Sequence, residues 1–152
     1  MKKILIAFCL VLVSCGASKW VMFKAPFFDF TVPPGFELKK ETKNLLRFES
    51  DTDSITIAWS MDQFSMKDQP ATEAVTGNPS DKIVVSEPQI LGNNKVWYSE
   101  IQTKDGWRVY LTLPLDRGEM RVEAVCKGEP SNIRQSVRSV VVTNETYFSY
   151  PH

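Results

Sequence analysis

Chemistry at a protein site needs a nucleophile, a proton carrier or a set of metal ligands, and in this chain of 152 residues those types are sparse. There are three cysteines and one histidine. His152 is the last residue and Cys9 sits in an apolar run near the start, which leaves Cys15 and Cys126 as the thiols to weigh. A reactive thiolate needs a base or a cation beside it. Cys126 alternates with Met120, Val122 and Ala124 and is therefore expected on the apolar face of a strand, as a buried structural thiol. Zinc sites take several nitrogen and sulfur ligands, more than one thiol and a terminal histidine supply. Glu49, Asp51 and Asp53 space their oxygens like part of a calcium loop, yet there is no glycine at the turning position and no distal glutamate. A solvated hairpin tip is the expectation there. Arg134 and Arg138 lie one helical turn apart, and Arg117 and Arg121 flank a turn. Such pairs can clamp a carboxylate or a phosphate, although a solvated face beside Glu119 and Glu123 is the commoner outcome. No nucleophile, base and orienting group can be assembled from these residues. The expectation is a non-enzyme with no catalytic residues, no metal and no cofactor.

The remaining thiol, Cys15, ends a distinctive leader. Lys2 and Lys3 precede an apolar run over residues 4–13, too short to cross the ~30 Å hydrocarbon layer as a helix and typical of a signal peptide. Its end, Leu12-Val13-Ser14-Cys15, resembles the bacterial lipobox at every position. That resemblance implies a bacterial lipoprotein whose Cys15 sulfur receives diacylglycerol, with cleavage before Cys15 and acylation of the freed amine. Two or three chains at ~0.8 kcal/mol per buried CH₂ make a durable anchor. Gly16 stands where an aspartate marks inner-membrane retention in enterobacterial lipoproteins. In a Gram-negative host this favours the periplasmic side of the outer membrane.

The elements that would position any site follow from composition and periodicity. At 43% hydrophobic and 24% charged residues the chain has the make-up of one globular domain. Lys+Arg and Asp+Glu are both 18, and two of the cations lie in the leader, so the basic excess of a nucleic-acid binder is missing. The division expected is residues 1–14 as signal peptide, 15–26 as lipidated tether, 27–143 as a single domain and 144–152 as a tail. The tether is unusually apolar at Trp20, Val21, Met22 and Phe23, and is expected either to add an edge to the domain or to rest at the membrane interface. Phe28 and Phe30 alternate before the Pro33-Pro34-Gly35 turn; segments 45–50 and 54–60 read as a hairpin with Ile55, Ile57 and Trp59 on one face. A short helix is expected near 68–75. A loop of three residues, Lys104-Asp105-Gly106, pairs Thr103 with Trp107 and Ile101 with Val109, and gathers Trp97, Ile101, Trp107, Val109, Leu111 and Leu113 on one face. The following turn sets Met120, Val122, Ala124 and Cys126 beside Leu113, Leu111, Val109 and Trp107. Pro130 and Ser131 then open a helix whose Ile133, Val137, Val140 and Val141 form one stripe covering that face. The opposite face is left with Tyr98, Glu100, Arg108, Tyr110, Arg121 and Glu123, the candidate partner-binding surface.

This order of elements resembles the PsbP-like sandwich, also seen in bacterial DcrB-like proteins. The resemblance is carried by Phe28 to Phe36 with Pro34 and Gly35, by an antiparallel meander with a Gly92-Asn93-Asn94 turn, and by the closing helix from Ile133 to Val140. It implies an α+β fold: an antiparallel sheet of about six strands, a C-terminal helix on one face and smaller helical elements on the other. Members of that group serve as accessory, assembly and chaperone-like proteins and share no catalytic residues. The function expected is a lipid-anchored envelope protein that binds an unknown protein partner; the alternative is a carrier or sensor of a small apolar or anionic ligand.

Overall fold

Residues that alternate large apolar with polar side chains build most of this molecule. The clearest case is the strand Gly118–Cys126, where Met120, Val122, Ala124 and Cys126 are buried while Arg121, Glu123 and Val125 are exposed. In the computed structural model residues 19–61, 78–115 and 118–143 are described. The leader with Cys9 and Cys15, the expected helix at 68–75, Arg117 and the tail from 144 lie outside the described residues. In chain order the elements are β1 (Val21–Lys24), β2 (Phe28–Val32), β3 (Glu37–Thr42), β4 (Leu45–Glu49), β5 (Ser54–Met61), β6 (Lys82–Leu91), β7 (Asn94–Thr103), β8 (Gly106–Leu115), β9 (Gly118–Cys126), α1 (Ser131–Arg138) and β10 (Val141–Val142).

Two sheets result. The larger has seven strands in the order β3-β4-β5-β9-β8-β7-β6, and the smaller has three in the order β1-β2-β10. The sheet of about six strands expected from the sequence is thus an antiparallel sheet of seven, with a second sheet beside it. The small sheet and α1 cover one face of the large one, since Phe27, Phe28, Phe30 and Val32 join Ile133, Val137 and Val140 in a core with Phe48, Ile55, Ile57, Val109, Leu111 and Val122. Phe30 and Phe23 both meet Phe48, each at 5.2 Å between ring centroids, which fastens β1 and β2 onto β4. Residues 21–24, in the stretch read as a tether, add an edge strand to β2, with Phe23 opposite Phe30.

The β4–β5 hairpin forms as expected, and its Asp51-Thr52 tip is held by the Asp53 amide, which donates to the Ser50 hydroxyl at 3.1 Å. The β8–β9 register is also the expected one, with Val109 opposite Ala124 and Leu111 opposite Val122. The β7–β8 register differs. Thr103 pairs with Gly106, Glu100 with Val109 and Tyr98 with Leu111, so the turn is Lys104-Asp105 and not a loop of three residues. Gly106 does carry positive φ, at 146°, but as the first residue of β8. A Cβ there would meet the Cys126 carbonyl oxygen at 2.0 Å, so glycine is needed to let β9 end against this turn.

Helix α1 begins at Ser131 as expected and buries Ile133 and Val137. Val140 is buried too, but Val141 is exposed, because the helix ends at Arg138 and Val141 already belongs to β10. The two helix-end serines replace a strand. β10 pairs with β2 only at Asp29 and Phe28, and beyond it the Thr31 amide donates to Ser139 Oγ at 2.8 Å while Ser136 Oγ donates to the Thr31 carbonyl at 2.6 Å.

Candidate functional site

The six residues proposed as one surface come from three neighbouring strands, and the register of β7 against β8 divides them. Tyr98 and Glu100 stand beside Leu111 and Val109 and point into the core under α1, where Tyr98 is 0% and Glu100 3% exposed. Arg108, Tyr110, Arg121 and Glu123 stay together on the outer face. Conversely Trp97 and Ile101, expected on the face under α1, pair with Thr112 and Arg108 on the other side of the sheet, where Trp97 is half-buried and Ile101 is buried all the same, at 2% exposed. The expectation failed because β7 is buried on both faces from Tyr98 to Ile101, so its sequence carries no alternation from which to read its facing.

The inward pair is part of a charged network. Arg134, reaching down from α1, donates Nε to Glu100 Oε1 at 2.7 Å and Nη2 to Oε2 at 2.8 Å. The Tyr98 hydroxyl donates to the same Oε1 at 2.5 Å, and the Arg138 guanidinium lies 4.4 Å from the centre of the Tyr98 ring. Burial pushes the Glu100 carboxyl up, but the hydrogen bonds from Arg134 and Tyr98 and the two guanidinium charges outweigh it and leave its pKa below the usual carboxylate value. Burial first, and then the Glu100 carboxylate, push the Tyr98 hydroxyl well above the ordinary phenol range. Arg134, one of the pair noted in the sequence as a possible anion clamp, therefore does hold a carboxylate, while Arg138 rests on the Tyr98 ring. That carboxylate is the chain's own Glu100.

The outer face is differently built. Arg108 is exposed and hydrogen-bonds Tyr110, whose hydroxyl donates to Glu123 Oε1 across β9 at 3.2 Å. Partial burial and the Glu123 charge raise the Tyr110 pKa. Arg121 Nε donates to Glu119, a carboxylate only 7% exposed. On the β7 side Trp97 Nε1 donates to Ser86 Oγ at 3.0 Å, and Ser86 and Ser99 share a hydrogen bond of 3.1 Å. The sequence places Trp97 with the core, and its polar neighbours, Thr112 opposite it on β8 and Ser86 diagonal to it on β6, are brought to it only by the register.

The other candidates are structural. Cys126 is 2% exposed on the core face, and burial, with Asp53 and Glu129 nearby, pushes its thiol up to about 11. Asp53 accepts a hydrogen bond from the Lys127 amide at 3.1 Å and Glu49 pairs with Arg47 at 2.6 Å, so the acidic hairpin serves local structure. Among the described residues no group of three or more His, Cys, Asp or Glu is arranged to hold a metal.

No family model matches this sequence, and no curated protein matches it. Solved structures do. The solution structure of the cyanobacterial PsbP protein CyanoP from Synechocystis sp. PCC 6803 superposes with a TM-score of 0.51 at 12% identity, covering 86% of this chain and 98% of that one. A crystal structure of a protein from Bacteroides thetaiotaomicron VPI-5482 gives a TM-score of 0.51 at 14% identity over 82% of this chain, which spans about half (49%) of that longer protein. At such identities the likeness is one of fold. The fold of this chain is PsbP-like.

Proposed function

We propose that the mature chain is a lipid-anchored, non-enzymatic protein of the bacterial envelope that binds another protein, or assists envelope assembly, through the outer face of β8 and β9. The observation that carries the reading is the run Leu12-Val13-Ser14-Cys15 behind a short apolar leader. A PsbP-like fold supports an accessory role. The corrected face supports a partner site at Arg108, Tyr110, Arg121 and Glu123, which remain outward, with half-buried Trp97 beside them in place of Tyr98 and Glu100. Exposed arginine and aromatic side chains on a rigid sheet supply much of the energy at protein interfaces. Of the alternative, a carrier or sensor of a small apolar or anionic ligand, the anionic form is disfavoured because Arg134 already spends two guanidinium nitrogens on Glu100.

Two measurements test this. Cys15→Ala is expected to abolish lipid labelling and leave the precursor uncut; normal maturation and membrane retention of that variant overturn the anchor. Arg108→Glu with Tyr110→Ala is expected to lose whatever partner co-purifies with the detergent-solubilised protein. Its melting temperature should fall by only several degrees, since Arg108 is exposed and half-buried Tyr110 loses contacts on the outer face alone, on the order of 1 kcal/mol. If the double variant unfolds while its folded fraction still holds the partner, the face is structural and the binding reading fails.

A further inference from the structure

The same lipid anchor restricts how the domain can stand on a membrane, and the edge nearest the anchor is apolar. Only five residues separate Cys15 from Val21, where β1 begins. Fully extended, that connection spans on the order of 20 Å. The first strand is therefore held close to the lipid surface whatever the rest of the domain does. β1 leaves Val21 53% and Met22 58% exposed, although Phe23 between Met22 and Lys24 is tucked against Phe48. Val21 stands opposite Val32, the last residue of β2, and from there the turn at Pro33 to Phe36 leads directly into β3, whose Leu38 pairs with Phe48 and is also exposed, at 39%. The Phe23–Phe48 contact brings β1 beside the start of β3, and this corner leaves Leu38 and Val21 exposed on the Phe23 side and Met22 on the other face of β1. Exposed lysines flank it along the chain, Lys19 and Lys24 on the first strand and its lead-in, and Lys39 and Lys40 on β3 between Glu37 and Glu41. Lys39 is tied to Glu37 at 2.6 Å, so Lys19, Lys24 and Lys40 are the cations turned to solvent without an ion pair among the described residues. A flexible spacer would be polar, and apolar groups flanked by lysines are the composition of a segment that sits at a bilayer interface.

We infer that the β1–β3 corner rests on the surface of the bilayer that holds the Cys15 lipid, with Val21 and Met22 at the level of the headgroups and the lysines toward their phosphates. This rests on the anchor proposed above. It deepens that reading, because it fixes the orientation: the outer face of β8 and β9, with exposed Arg108, Arg121 and Glu123, lies on the far side of the large sheet from the small sheet and is turned away from that corner.

The test uses the full-length protein matured in a bacterial host and reconstituted in vesicles of phosphatidylethanolamine and phosphatidylglycerol. Single cysteines are introduced by Met22→Cys or Lys24→Cys at the corner and Val125→Cys on the outer face, each carrying an environment-sensitive fluorophore. Cys126 does not compete for label in the native state because it is buried with a raised pKa. Lipid on Cys15 is verified first by mass. The corner labels are expected to lose aqueous iodide quenching severalfold on reconstitution and to be quenched by nitroxide-bearing lipids, while the Val125 label stays accessible to iodide. Using two corner positions guards against a label that disturbs Met22 locally. If Cys15 carries no lipid, the anchor and this orientation both fall. If Cys15 is lipidated and the corner labels remain as accessible to iodide as the Val125 label, the orientation alone is wrong.

Discussion

Glu100 shows how one side chain can be misread until its partner is known. A carboxylate between Ser99 and Ile101 looks like an outward residue of a half-buried strand, yet it is among the more deeply buried polar groups here and two hydrogen bonds from Arg134 hold it ionised. Its folded pKa is depressed, so its contribution is present above the unfolded carboxylate range and disappears as pH falls through the folded value. Arg134→Met is expected to cost roughly 2–4 kcal/mol at pH 7, less than for a fully buried pair because Arg134 is partly exposed, by leaving Glu100 buried and unpaired. Denaturant titrations should find that this loss shrinks as pH falls below the ordinary carboxylate range and through the depressed folded value of Glu100, where the carboxyl becomes protonated in the wild type as well; a loss that is the same at every pH assigns the effect to packing. Cys126 is a second residue-scale case. With its thiol at about 11 and its side chain in the core, it should react with thiol reagents only after denaturant is added. Fast labelling of the native protein would show that its face is not the one described.

At the scale of elements the decisive objects are the β7–β8 turn and the end of α1. Gly106 lies where the turn, β8 and the end of β9 crowd together, and it holds a φ of 146° that other residues avoid. Gly106→Ala should destabilise by at least about 1–3 kcal/mol from the backbone alone, with more from the clash with the Cys126 carbonyl. Equal melting curves for the variant and the wild type would mean that β8 starts elsewhere. Ser136 and Ser139 stand in for a strand that β10 is too short to provide. Ser136→Ala is expected to cost about 1–3 kcal/mol, because the Thr31 carbonyl loses its donor in a buried setting. Hydrogen exchange at the β2 amides should accelerate in that variant, and unchanged protection there would mean water takes the place of the hydroxyl.

On the scale of the whole molecule the two edges of the large sheet are managed differently. β3 is short, bulged between Leu38 and Lys40 and carries Glu37, Lys39, Lys40 and Glu41, the devices that discourage a foreign strand from pairing. β6 has ten residues and leaves Ile83 and Ile90 exposed, with Pro88 interrupting its donors. The core between the sheets is aromatic at one end, where Phe27, Phe28 and Trp59 meet tilted or edge-on, and aliphatic under α1. Leu111, 1% exposed between them, is the place to test it: Leu111→Ala should lose roughly 2–5 kcal/mol through the cavity it leaves. A loss below 1 kcal/mol by calorimetry would show that α1 does not close over this face.

Sequence alone determined those parts in which one face of a strand meets water. Arg121 and Glu123 between Met120, Val122 and Ala124 leave a single way to lay β9 on a core, and with it the β8–β9 register; the 45–60 hairpin and the start of α1 at Ser131 are local in the same sense. The outward position of Arg108, Tyr110, Arg121 and Glu123 was legible for that reason. Tyr98 and Glu100 were not, because β7 is covered on both sides and a strand of that kind has no periodicity to read. Tertiary structure chose its register through groups remote in sequence: Arg134, 34 positions beyond Glu100, makes a buried carboxylate tolerable, and the Cys126 carbonyl leaves room for nothing larger than glycine at position 106. The separation of β1, β2 and β10 into their own sheet was decided in the same way, by Phe23 and Phe30 finding Phe48 and by Thr31 finding two serines more than a hundred residues away.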